Sequence, residues 1–258
     1  MINLSKKIVA FDLDGTLAES KQHLEKDMAD VLCSLSKEKI VVVISGGSIE
    51  QFKKQFLLYF LPQEEDKNTI YKNLILLPTS GSRRFQYDIE KNDWIMTDEE
   101  ALSESLREKI ITTLKEYIAT GKYDMHPAIE GDEIVEDRIT QVSLSALGQH
   151  APLDLKKVWD PDQKKRQQIK KELEEKLPEV SINIGGGTTL DILAKGFNKA
   201  TGLIRLLDKL NMTIDDMVFI GDAIFPGGND YSPYEAGIES IKISGPIETK
   251  KVIEGWIL

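Results

Sequence analysis

Two carboxylates stand two residues apart directly after an apolar run: Ile8-Val9-Ala10-Phe11 is followed by Asp12-Leu13-Asp14-Gly15-Thr16. Just beyond a hydrophobic strand, such a pair repels itself unless a cation offsets the charge. Magnesium takes oxygen ligands and keeps several of its waters, so one or two carboxylates suffice to hold it. Gly15 permits a sharp turn away from the strand. The plainer alternative is a polar loop with Thr16 as a helix cap.

Three further stretches carry related chemistry. Ser45-Gly46-Gly47-Ser48 follows Ile44 and offers a hydroxyl and backbone N–H groups at a helix start, where anions bind. A simple N-cap explains it equally well. Lys199 opens a helix after Gly196-Phe197-Asn198, where a cation opposes the helix dipole and so suggests another task. The loop from Gly221-Asp222 to Pro226-Gly227-Gly228-Asn229-Asp230 supplies two acidic groups and three glycines.

The elements that must position these groups alternate. Ile8–Phe11, Ile40–Ile44 and Leu74–Leu77 read as buried strands. Residues 24–35 and the stretch with Ile49, Phe52, Phe56 and Leu57 on one face read as helices between them. That order predicts a Rossmann-like doubly wound α/β sheet, which binds ligands at the carboxyl ends of its strands. All four stretches fall there. The middle of the chain reads differently, with a hairpin over 84–96, a helix over 101–118, two strands within 133–145, a charged helix over 164–176 and a strand over 180–184. The charges of 164–176 read as a solvated face. The pattern suggests an α+β unit, residues 85–184, inserted into a core made of 1–84 and 185–258. The core then resumes with a helix over 199–210 and strands over 217–220 and 241–243.

Composition excludes several classes. The 258 residues are 41 % hydrophobic and 29 % charged, ordinary for a globular chain able to bury a core unaided. Lys and Arg total 33 against 43 acidic residues, a net charge of −10, which argues against a nucleic-acid partner. Cys33 is the only cysteine and is expected to be a buried thiol in a reducing compartment. No run approaches about 18 apolar residues, so neither a membrane span nor a membrane partner is expected, and a cytoplasmic location is the default. The three histidines, His23, His126 and His150, show neither zinc-ligand spacing nor a nucleophile elbow. There is no GxxxxGK[ST] nucleotide loop.

In this order, DxDGT, serine, lysine and GDxxxxGGND resemble the haloacid dehalogenase superfamily of phosphotransferases, subfamily IIB with a Cof-type cap, over nearly the whole chain. Within it the sequence is similar to the eukaryotic-type phosphomannomutases, most strongly through Gly221–Asp230. Ser181–Gly187 with Leu190-Asp191, and Ile134–Arg138, add to that likeness. The resemblance implies Mg2+ as cofactor and a phosphorylated sugar as substrate. It implies Asp12 as nucleophile, Asp14 as general acid and base, and Ser45, Gly46 and Lys199 as phosphate-binding groups. Asp12, the backbone carbonyl of Asp14, Asp222, Asn229 and Asp230 would serve the metal. Arg138, Gln149, Lys21 and Asp191 would serve the substrate from the cap and hinge. Two departures stand out: Gln149 and Lys21 occupy positions where the phosphomannomutases carry arginine. A mutase must grip a bisphosphate through reorientation, whereas a phosphatase releases its product, so a sugar-phosphate phosphatase is favoured over a phosphomannomutase. A non-catalytic binding protein is the remote alternative, since no core motif residue is missing. The resembled mutases dimerise through the cap, but no apolar stripe in this sequence assigns a homodimer.

Overall fold

The computed structural model describes residues 5–20 and 22–257, in two compact units, Met1–Glu99 with Lys199–Leu258 and Glu100–Asn198. In chain order the strands are β1 (Ile8–Asp12), β2 (Ile40–Ile44), β3 (Leu74–Leu77), β4 (Arg83–Asp88), β5 (Asp93–Glu99), β6 (Val135–Asp137), β7 (Gln141–Ser145), β8 (Val180–Ile184), β9 (Thr189–Ala194), β10 (Met217–Gly221) and β11 (Glu239–Lys242). The helices are α1 (Lys26–Ser36), α2 (Ile49–Phe52), α3 (Lys67–Lys72), α4 (Glu104–Ala119), α5 (Leu153–Trp159), α6 (Lys164–Lys176), α7 (Lys199–Leu210), α8 (Tyr231–Glu235) and α9 (Pro246–Ile257).

The first unit is built on a seven-stranded sheet of order β11-β10-β1-β2-β3-β4-β5, parallel from β11 to β3. Its central strands are apolar at nearly every position because both faces are covered. Val9, Phe11, Val41, Val43, Leu76 and Val218 face α1 and α9, while Ile8, Ala10, Val42, Ile75 and Phe219 face Leu203, Leu206 and Leu207 of α7. Helices on both faces make this the doubly wound arrangement that the sequence implies. Cys33 is half-buried against the first of these clusters rather than inside it, and burial pushes its thiol up to about 11.

The two compact units divide at 99/100 and 198/199, both further along the chain than the boundaries expected near 84 and 185. The β4–β5 hairpin adds antiparallel strands to the core sheet, with Phe85 opposite Leu76. Its Tyr87 and Trp94 rings pack on Tyr71, centroids 4.6 and 5.6 Å away. At the other end, β9 was not foreseen; it inserts between β7 and β8.

The second unit carries an antiparallel sheet of order β6-β7-β9-β8. Val142, Leu144, Val180, Ile182, Leu190 and Ile192 form its apolar face and pack on Ile110 and Leu114 of α4 and Ile169 and Leu173 of α6. Most charges of α6 point outward, but Arg166 and Glu172 do not. Arg166 is buried because its Nε bonds Asp160 Oδ2 at 2.8 Å and its Nη1 donates to the carbonyl of Gly186 at 2.6 Å. Among the described residues, no helix is long and apolar enough to cross a membrane.

Glu172 on α6 ties this unit together. Its carboxylate accepts from Lys122 Nζ at 2.7 Å, Gln168 Nε2 at 2.8 Å, Tyr117 Oη at 2.8 Å and Tyr123 Oη at 2.9 Å. These donors, Lys122 first, pull its pKa from 4.5 to about 2. A carboxylate depressed on folding contributes stability that is present above its unfolded pKa and lost as pH falls through the folded value. Glu172→Gln is therefore expected to cost about 1–2 kcal/mol at neutral pH. In thermal melts the gap between the two proteins should narrow as pH falls from 4.5 towards 2.

Candidate active site

The four chemistry-bearing stretches meet at the carboxyl ends of three adjacent strands of the first unit. Asp12 lies opposite Ile44, and Phe11 opposite Ile220. Ser45 thus follows the strand on one side of Asp12, and Gly221-Asp222 the strand on the other. The chain runs outward from β1 in opposite directions to β2 and β10, and such a reversal of strand order opens a crevice at the sheet edge.

Lys199, the first residue of α7, closes the arrangement. Its buried Nζ donates to Asp12 Oδ1 at 2.5 Å and to Asp230 Oδ1 at 2.6 Å. The second oxygen of Asp230 accepts from the Ala223 backbone N–H at 3.1 Å. Asp222 lies against the turn of the first motif: a Cβ on Gly15, whose φ is +85°, would fall 2.6 Å from Asp222 Oδ2. Glycine is needed there for the backbone conformation and for the close approach. Carboxylate oxygens of Asp12, Asp222 and Asp230 all lie within 4.8 Å of one another.

That crowding sets the electrostatics. Burial raises the Asp12 carboxyl well above its ordinary value; Lys199 opposes the rise, and Asp230 and Asp222 add to it. Burial, then the charge of Asp230, lifts Asp222 to about 6 against the pull of Lys199. Burial would lower the Lys199 ammonium, but Asp12 and Asp230 hold it above its ordinary value. Asp12 Oδ2 is buried without a hydrogen-bond partner among the described residues. An orphaned carboxylate oxygen inside an all-oxygen acidic cluster fits a hard divalent cation. Asn229 is half-buried on the same loop as Asp222. The carboxylate of Asp14 lies outside the cluster and accepts from Gln55 Nε2 at 2.9 Å.

Ser45 is buried and Gly46 half-buried. The Ser45 hydroxyl accepts from the Gly47 N–H at 3.2 Å. The loop is propped from β3: Thr79 N–H donates to Gly47 O at 2.9 Å, and Ser80 N–H to Ser45 O at 2.8 Å. Thr79 and Ser80 reach these carbonyls with φ of +50° and +57°, a strained conformation for non-glycine residues. The sequence reading passed over this turn, although Pro78-Thr79-Ser80-Gly81 carries turn composition.

The cap residues expected from the resemblance lie in the second unit, each described within it. Arg138 is buried, and its Nη2 bonds Glu136 Oε2 at 2.7 Å and Gln149 Oε1 at 3.3 Å. Lys156, not foreseen, is also buried and donates to the Gln149 carbonyl at 2.9 Å. Its signal was a lysine one turn into the short helical run that ends at Trp159. Asp191 sits inside β9, well before the unit boundary, and accepts from Ser143 Oγ at 2.7 Å and Gln141 Nε2 at 2.8 Å. Lys21 lies outside the described residues.

The charge imbalance has a measurable consequence in metal-free protein. Asp222, raised on folding, opposes stability fully above about pH 6, and the penalty fades as pH falls to 3.8. In chelator at neutral pH, Asp222→Asn should stabilise the fold by about 2 kcal/mol, with the gain vanishing in acid. Lys199→Met strips two buried carboxylates of their partner and should cost about 3–5 kcal/mol. Paired thermal melts across pH check both.

The chain is similar to known proteins. Residues 9–232 match the family profile described as haloacid dehalogenase-like hydrolase. A probable phosphomannomutase of Caenorhabditis elegans is 23 % identical, the match covering 97 % of this chain and 95 % of that protein. Phosphomannomutase 1 of Dictyostelium discoideum is 26 % identical over 95 % of this chain and 94 % of its own length. Among solved structures, N-terminally truncated IMP-nucleotidase of Plasmodium falciparum shares the fold with a TM-score of 0.72 at 18 % identity, covering 98 % of this chain and 70 % of that one. The match spans most of the chain, and the chain belongs to the haloacid dehalogenase-like hydrolase family as an enzyme of that superfamily.

Proposed function

We propose that this enzyme is a magnesium-dependent phosphatase of a phosphorylated sugar that works through an aspartyl-phosphate on Asp12. The observation that carries the reading is Asp12 itself: one oxygen is held by Lys199, while the other has no donor among the described residues to occupy its lone pairs. A magnesium ion held by Asp12, Asp222 and the Asp14 carbonyl would supply charge neutralisation for the phosphoryl oxygens. Asp230 accepts from Lys199 and from the Ala223 N–H, which holds Lys199 in place and leaves a lone pair on each of its oxygens.

In the first step an Asp12 oxygen attacks phosphorus in line. The P–O bond to the sugar breaks, and Asp14 gives its proton to the departing oxygen. In the second step Asp14 takes a proton from water as that water attacks the phosphoryl group, which releases phosphate and restores Asp12. Lys199, Ser45 and the Gly46 backbone stabilise the transferring oxygens.

The choice of hydrolysis rests on the second unit. Gln149 has neither the charge nor the fork of an arginine. Arg138 shares its guanidinium with Glu136, which offsets its charge. Both features weaken the grip on a distal phosphate that a mutase needs. The second reading, a phosphomannomutase, is favoured by the names of the relatives in Caenorhabditis and Dictyostelium.

Incubation with magnesium and mannose 1-phosphate, with and without a hexose bisphosphate, separates the two. Free phosphate is the expected product; mannose 6-phosphate would establish the mutase. Asp12→Asn should lower turnover by about 10³-fold or more, and retained turnover would overturn the covalent route. Gln149→Arg is expected to raise the ratio of isomer to free phosphate.

A further inference from the structure

Gln55 is a buried polar residue that bonds the first motif, and neither the sequence motifs nor the reaction above accounts for it. It lies on the helical stretch that leaves the Ser45 loop. Helix α2 runs without interruption into a π-helical turn, Lys53–Leu57, in which Leu58 N–H reaches Lys53 O at 3.1 Å. Such turns are rare and occur frequently at functional sites. Here the side chain is that of Gln55, whose Nε2 donates to Asp14 Oδ1 at 2.9 Å.

One further hydrogen bond fixes that amide, and two contacts hold the residues around it. Gln51, one turn earlier, donates from Nε2 to Gln55 Oε1 at 3.0 Å, which leaves the Gln55 nitrogen pointing at Asp14. Gln51 is itself packed on Gly47, where an added Cβ would come within 2.6 Å of its Oε1. The Gln55 carbonyl accepts from Leu24 N–H at 2.8 Å, tying the turn to the segment that follows the first motif. An amide nitrogen donates and cannot accept. Asp14 Oδ1 is therefore held as an acceptor, and a proton carried by this carboxyl group resides on Oδ2.

We infer that Gln55 is a positioning residue that fixes the orientation of Asp14, so that Oδ2 alone exchanges protons with the leaving group and the attacking water. The inference rests on the proposed role of Asp14 as general acid and base. It adds that the π-helical turn beside the Ser45 loop is part of the reaction machinery, coupling the loop's glycine to the proton-transfer group through Gln51.

Leaving-group dependence tests it. The departing p-nitrophenolate of p-nitrophenyl phosphate needs no proton, whereas the alkoxide of mannose 6-phosphate does. Gln55→Met preserves length and removes the donor; with the magnesium-loaded enzyme it should lower kcat/KM about tenfold on mannose 6-phosphate and less than about twofold on p-nitrophenyl phosphate. Gln55→Glu, which sets a second carboxylate against Asp14, should show the same split. Equal losses on both substrates, or none on either, would overturn the inference. Asp14→Asn run in parallel distinguishes the two failures: if it shows no split, the general-acid reading is at fault rather than Gln55. A crystal structure of Gln55→Met decides independently of turnover. A displaced or multiply oriented Asp14 carboxylate is expected, and an unmoved one contradicts the role assigned to Gln55.

Discussion

Among the described residues, three carboxylates with oxygens inside 4.8 Å share the ammonium of Lys199. Two like charges at that separation repel by about 3–4 kcal/mol at an effective dielectric of about 20. Lys199 offsets part of this by bonding Asp12 and Asp230 at once, and a local charge of about −2 is left over. The lifted Asp222 registers that surplus. The cluster has the charge and the oxygen donors to take a divalent cation and then a phosphate group, each of which lowers the field that the other must enter. A site filled by hydrogen-bonded neutral residues would be more stable and would have no such capacity.

The fold is the means of holding that cluster together. Asp12 and Lys199 are 187 residues apart, and the whole second unit lies between them in sequence. The core keeps both ends of that excursion. Arg83 Nη2 bonds Glu99 at 2.7 Å where the chain leaves β5, and Arg205 of the returning helix α7 bonds Asp98 at 3.1 Å. The departure and return points are thus anchored to one another within the first unit, and Lys199 enters the sheet edge from a fixed helix. This is why an insertion of this length is compatible with contacts of 2.5 Å at the site.

Much of this was legible in the sequence. Apolar runs ending in Asp12, Ile44 and Ile220 placed three strands, and the polar residues after them could only lie at the sheet edge. The bounds read for α6 and α7 match the structure to the residue. What failed, failed for non-local reasons. The β4–β5 hairpin reads as a hairpin in either unit, and only the packing of Tyr87 and Trp94 on Tyr71 assigns it to the core. The strand β9, Thr-Leu-Asp-Ile-Leu-Ala, carries a buried aspartate whose cost is met by Gln141 and Ser143 some fifty residues away. Gln55 looked like any polar residue on an amphipathic helix, since a π-helical turn leaves no mark on the hydrophobic pattern.

The central claim is that the Asp12 carboxylate, held by Lys199, becomes covalently phosphorylated during turnover. Rapid acid quench of the magnesium-loaded enzyme with a saturating sugar phosphate, followed by mass analysis of its peptides, tests this directly. The account predicts a gain of one phosphoryl group on the peptide containing Asp12, absent when magnesium is chelated. Turnover with no phosphorylated peptide at any quench time, or with the phosphoryl group on another residue, would contradict it.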